Sequence, residues 1–276
     1  MAETRKVRID EVDLFYVDRG EGPSALFVHG SNVDCRVWAD HSEIIAPKYR
    51  VFAPTQRYFG LTPWSDDGRN FSIQIHAGDL AMFIHALRLS PVTIVGWSYG
   101  GAVCLALAVQ HPELVKRLFI YEPTLATFVS DPLAARRAMD DRLEMLREAK
   151  VAAGGGDVEN AVHLFMDGVN DHQGAFQSLP DWVRHMMVEN ARMLPLLFAA
   201  PPPPQITCEH LSRLAVPVTV ALGGESRIFY KISAECAAQC IPGARLLTIP
   251  DARHLWPIQD PTAFSRLVLD FLEESF

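Results

Sequence analysis

Long hydrophobic runs are missing from this chain of 276 residues. No stretch approaches the ~18 apolar residues that crossing a bilayer requires, so no membrane partner is expected. Met1 to Asp10 alternates charged and apolar residues and lacks the continuous apolar region of a secretory signal. Basic stripes are also absent. The net charge is −8, and nucleic-acid binding would demand clustered cations against phosphate. Cysteine is scarce, with five in all. An odd number without framework spacing fits a reducing compartment and predicts a cytoplasmic protein. Cys236 and Cys240, four apart on an expected helix, read as two small core side chains on one face. Neither His-Glu-x-x-His nor Cys-x-x-Cys occurs, nor a Gly-x-x-x-x-Gly-Lys phosphate loop. Gly20-Glu21-Gly22 lacks the helix that a dinucleotide site needs. No metal and no cofactor is expected.

What remains is ordinary globular material, 49% hydrophobic and 21% charged. Val7 to Asp10 and Val12 to Asp18 alternate and predict an antiparallel hairpin. Six compact apolar runs follow: Ala25–Val28, Val51–Ala53, Val92–Val95, Leu118–Tyr121, Val218–Leu222 and Arg245–Ile249. Runs of this kind belong to strands buried on both faces, as in a parallel sheet covered by helices. Helical patterns fall between them, at Ile73–Leu89, Tyr99–His111 and Pro261–Glu274. The alternation predicts an α/β fold with a doubly wound, mostly parallel sheet of eight strands.

One stretch breaks the alternation. From about Leu125 to Leu214 no strand pattern occurs, only helical periodicity interrupted by Gly154-Gly155-Gly156 and by Pro201 to Pro204. Glycine triplets end helices, and four prolines impose an extended segment. The predicted organisation is a core of residues 1–124 and 215–276, with a helical cap inserted at 125–214.

The chemistry concentrates at Gly96-Trp97-Ser98-Tyr99-Gly100, which follows a strand and opens an apolar helix. A nucleophile on so sharp a turn needs strained backbone angles and tiny neighbours, which Gly96 and Gly100 supply. His29-Gly30-Ser31-Asn32 follows the strand Ala25–Val28, so backbone N–H groups of Ser31 and Tyr99 can form an oxyanion hole, with His29 bracing the loop. His254 is one of ten histidines. Its position after the last strand is what matters, because loops at the carboxyl ends of strands in such a sheet converge on one edge. His254 is expected to activate Ser98.

On these residues, together with Arg57-Tyr58-Phe59-Gly60 and Gly224-Glu225, the chain resembles the α/β-hydrolase fold superfamily over nearly all of its length outside the cap. The resemblance implies a Ser–His–acid triad and a pocket roofed by the cap. Many members carry the acid as Asp in a Gly-Glu-x-Asp run, where this chain reads Gly224-Glu225-Ser226-Arg227. An arginine cannot hold an imidazolium. Glu122, at the end of the strand Leu118–Tyr121, is the preferred acid, with Glu225 and Asp251 as rivals. Ser98 stands where haloalkane dehalogenases and epoxide hydrolases have Asp, which disfavours those activities.

The expected activity is a carboxylesterase-like serine hydrolysis of an ester, a lactone or a carbon–carbon bond beside a ketone. Lyase or perhydrolase chemistry, and a ligand sensor with little catalysis, are the alternatives. The expected partner is a small, apolar molecule; a homodimer is left open. Asn32, Trp38, Arg57 and Trp182 are expected to line the pocket, with Phe59 at its mouth. The cap is rich in Met and Phe, including Met139, Met145, Phe165, Met166, Met186, Met187, Met193 and Phe198, read mainly as packing.

Overall fold

A computed structural model describes residues 4–64 and 66–274. Met1–Glu3, the start of the alternating N-terminal segment, therefore lie outside the described residues. Eight strands form one sheet: β1 (Thr4–Ile9), β2 (Val12–Arg19), β3 (Ser24–Val28), β4 (Arg50–Pro54), β5 (Val92–Trp97), β6 (Val115–Tyr121), β7 (Val218–Gly223) and β8 (Arg245–Ile249). Their order is β1-β2-β4-β3-β5-β6-β7-β8. β2 pairs antiparallel with both β1 and β4, and the remaining pairs are parallel. The apolar runs of β5 and β7 are buried along their whole length. β8 differs from expectation. It is the last strand at one edge of the sheet, and none of its five residues is fully buried.

Helices cross between the strands. α1 (Ala39–Ile45) follows β3, α2 (Ile73–Ala86) follows β4, and α3 (Tyr99–Gln110) follows β5. Ten of the twelve α3 residues are buried, so its near-continuous apolar sequence reflects burial on all sides. Between β6 and β7 lie α4 (Pro132–Gly154), α5 (Val158–Asn170), α6 (Asp181–Glu189), α7 (Leu194–Ala199) and α8 (Cys208–Ser212). α4 stops at the glycine run, with Gly155 as its C-cap. α9 (Ile228–Cys240) follows β7, and α10 (Trp256–Gln259) and α11 (Pro261–Glu273) end the chain. No helix among the described residues is long and apolar enough to cross a membrane.

The cysteine reading needs correction. Cys240 is not a free thiol beside Cys236; it is disulfide-bonded to Cys208, which joins α8 to α9. Cys35, Cys104 and Cys236 are free. An odd total is thus compatible with a bridge, and the cysteine number gives no support to a reducing compartment.

The register brings the chemistry to one edge. Val28 sits opposite Gly96, Trp97 opposite Tyr121, and Tyr121 opposite Ala221. The chain leaves β3, β5 and β6 at matched heights, so the segments beginning at His29, Ser98 and Glu122 emerge side by side. The loop after β8 returns His254 to the same place.

Candidate active site

Ser98 occupies the bend between β5 and α3 with φ 58° and ψ −119°. Non-glycine residues rarely hold a positive φ, and such strain persists only when the surroundings enforce it. The enforcement is visible. Ser98 N–H donates to Tyr121 O at 2.9 Å, and its carbonyl accepts from Thr124 N–H at 3.2 Å. A Cβ on Gly100 would stand 2.4 Å from the carbonyl oxygens of Val28 and His29, and one on Gly96 would stand 2.8 Å from Cys104 Sγ. Glycine at these two positions lets α3 lie against the ends of β3 and β5 while the hydroxyl projects beyond the sheet.

His254 is buried, with its Nε2 2.9 Å from Ser98 Oγ and its Nδ1 2.6 Å from Glu122 Oε2. The other Glu122 oxygen accepts the Gly223 N–H at 2.7 Å, so the carboxylate is tied to β7 as well as to the imidazole. Glu122 itself takes φ 47° just beyond β6. The His254 loop is held through its backbone by side chains of neighbouring elements. Trp97 Nε1 donates to His254 O at 3.1 Å, Tyr121 Oη donates to Arg253 O at 2.8 Å, and Leu255 N–H donates to Asn170 Oδ1 at 3.0 Å. Tyr230 of α9 lies flat on the imidazole, with centroids 3.8 Å apart and planes within 9°.

The rival carboxylates are elsewhere. Glu225 pairs with Arg253 at 3.3 Å and is largely exposed. Asp251 is exposed. Arg227, in the run where the resemblance led to an expected Asp, turns toward the helices between β6 and β7. It binds Asp141 of α4 at 2.7 Å and Asp171 at 2.8 Å.

Ser31 and Tyr99 line the same cavity as Ser98 and His254. Tyr99 is the first residue of α3, so its N–H has no acceptor within the helix. Gly30 is small for a reason, because a Cβ there would stand 3.1 Å from Ser98 Cβ. His29 is buried and neutral. Burial lowers its pKa to about 4. Its Nδ1–H donates to Gly30 O at 2.8 Å, and Nε2 accepts from Gln56 N–H at 3.0 Å. It braces the loop.

The cavity beside Ser98 has a volume of about 390 Å³ and mostly apolar walls, a size that suits a small molecule. Four expected lining residues are not among its walls. Trp38 is buried in the core, packed on Phe27, Trp97 and Phe264. Arg57 is bonded to Asp79 at 2.6 and 2.8 Å and faces a separate depression. Trp182 lies on the exposed side of α6, and Asn32 is buried with φ 59°. Phe59 is also buried, against His29 and Tyr99. The inserted helices supply the walls instead, through Met139, Met145, Phe165, Met166 and Phe198, while Met186, Met187 and Met193 are buried without lining the cavity. Sequence reasoning missed Tyr230 and Arg142, since neither belongs to a motif. Among the described residues, no group of three or more His, Cys, Asp or Glu is arranged to hold a metal ion.

The comparisons with known proteins agree with this architecture. The α/β hydrolase fold family model matches residues 26–261. A pyrrolizixenacetamide deacetylase from Xenorhabdus hominickii is 29% identical over 116 residues, covering 42% of this chain and 43% of that protein. The first three curated relatives are matched over only 43%, 29% and 38% of their own lengths. Among solved structures, Est816, described as an N-acyl homoserine lactone degrading enzyme, superposes with a TM-score of 0.77 at 22% identity, covering 97% of this chain and all of that one. A thermophilic esterase from Thermogutta terrifontis gives a TM-score of 0.72 at 22% identity, with 98% of each chain covered. At such identities the likeness speaks for the fold. The chain belongs to the α/β hydrolase fold family.

Proposed function

We propose that the protein is a serine hydrolase that cleaves a carboxylic ester or lactone in a small molecule with an apolar body. The observation that carries this reading is His254, whose two ring nitrogens meet Ser98 Oγ at 2.9 Å and Glu122 Oε2 at 2.6 Å on the wall of an apolar cavity. An ionised Glu122 only accepts hydrogen bonds, so Nδ1 keeps its proton and Nε2 presents a lone pair to the serine hydroxyl. Ser98 Oγ attacks the substrate carbonyl as its proton passes to Nε2, and Glu122 stabilises the imidazolium. The tetrahedral oxyanion is held by the N–H groups of Ser31 and Tyr99, fixed donors that need no reorganisation. His254 returns the proton to the leaving alkoxide. A water then attacks the acyl-enzyme with the same imidazole as base.

In this reading residues 125–214 act as a cap over a core of 1–124 and 215–276. A deacetylase, a lactone-degrading enzyme and an esterase among the similar proteins support acyl transfer as the reaction class. The test is turnover of 4-nitrophenyl esters of graded chain length and of lactones. The wild type is expected to hydrolyse at least one series, and Ser98→Ala to lose at least ~1,000-fold in kcat. Equal rates for the two proteins would refute the proposal.

A further inference from the structure

The side chains that face the cavity include three full cations, and among the described lining residues no Asp or Glu. This is a biased wall in a chain of net charge −8. Arg142, Arg147 and Lys150 all come from α4. The latter two also border an outer groove, and Arg147 is satisfied by Glu144 at 3.1 Å. Arg142 is different. It is half-buried, its guanidinium lies 5.5 Å from the centroid of the Phe229 ring, and it has no ion pair among the described residues. The carboxylate next to it in sequence is not available. Both Asp141 oxygens are engaged, by the Arg227 guanidinium and by Phe229 N–H at 3.0 Å.

A cation taken from water without a counter-charge is costly, and the cost falls when an anion arrives. Burial pulls the Arg142 pKa below the usual arginine value, yet guanidinium stays charged at neutral pH. Arg142 is also coupled in space to the reacting centre. Phe229 beneath it adjoins Tyr230, with rings 5.3 Å apart, and Tyr230 stacks on His254. The rest of the cavity is apolar, with Met145, Phe165, Met166, Leu197 and Phe198 on its walls.

We infer that the substrate is amphipathic: its apolar body fills the Met- and Phe-lined space while a carboxylate group pairs with Arg142. One planar guanidinium matches one carboxylate through two parallel hydrogen bonds, whereas a dianionic phosphate would call for further donors at the same point. The inference deepens the hydrolase reading and rests on it for the word substrate. Its test does not depend on turnover.

Calorimetric titration of the full chain with 4-phenylbutyrate and with its neutral amide isolates the charge. The wild type is expected to bind the carboxylate ~10- to 100-fold more tightly than the amide, the range of a hydrogen bond to a charged group. Arg142→Met and Arg142→Gln should bring the two ligands within about threefold of each other while the amide affinity stays, which also reports that the pocket remains folded. Arg142→Lys should restore part of the difference. Equal binding of the two ligands by the wild type, no carboxylate binding at millimolar concentration, or a preference that survives Arg142→Met and disappears in Lys150→Gln would each overturn the inference. Ester hydrolysis with no carboxylate preference would remove this inference alone. Hydrolysis independent of Ser98 would remove the mechanism and leave the binding result standing.

Discussion

At the scale of the residue, catalysis in this reading depends on which carboxylate meets His254. Glu122 is buried and lies 2.6 Å from Nδ1, whereas Glu225 is occupied by Arg253. Glu122→Gln replaces an acceptor by a group that can donate, which favours the wrong tautomer of the imidazole. It is expected to lower kcat on an ester by ~10³- to 10⁴-fold. Glu225→Gln and Asp251→Asn should leave kcat within about threefold, since neither side chain meets the imidazole. Steady-state rates of the three variants check this ranking, and the reverse order would contradict it. The position of Ser98 on the bend between β5 and α3 was legible because its signal is local: glycines two residues to either side, a strand before and a helix after. The meeting of Glu122 with His254 was legible from an exclusion, the positive charge of Arg227 where the resemblance leads one to expect an Asp. The four pocket residues were not, because lining a cavity depends on where a side chain points and what holds it. Arg57 is claimed by Asp79, 22 residues further on, and no periodicity announces that partner.

At the scale of the element, strands and helices were legible wherever the apolar pattern was long. β7 begins at Val218 and α3 at Tyr99, as their patterns predict, and α4 ends in the glycine run. α1 was missed. It has seven residues, with His41 and Ser42 on its buried side, so its pattern is too short and too polar to stand out. The Cys208–Cys240 bridge was missed because it joins two helices separated by β7, and cysteine spacing carries no information about such a contact. The methionines of the inserted helices show the same limit. Helical periodicity marks a buried face, but Met145 and Met166 face the cavity while Met186 and Met187 face other packing. Arg227 could be noticed only as a departure. Its bonds to Asp141 and Asp171 give that departure a structural purpose, fastening α4 and the end of α5 to the start of α9.

At the scale of the whole molecule, the sheet order places the loops after β3, β5, β6 and β8 on one edge, and the buried histidines make the fold sensitive to acid. Burial lowers the pKa of His29 and His41 to about 4 and of His76 to about 3. In the unfolded chain these groups titrate near 6.5. Between pH ~6.5 and ~4 the unfolded state therefore binds more protons, and stability falls as pH falls. Their contribution is fully present above about pH 6.5 and is lost on the way down to their folded values. Urea unfolding at pH 7.5 and pH 5 should differ by at least ~2 kcal/mol, with the lower stability at pH 5; equal stability at the two values would contradict the histidine account. Activation of Ser98 by His254 is measured by reaction with a fluorophosphonate followed by intact-mass measurement and peptide mapping. A single adduct is expected, on Ser98, formed at least ~100-fold more slowly in His254→Ala. Failure of the folded wild type to react, or an adduct that forms equally fast without the imidazole, would contradict it.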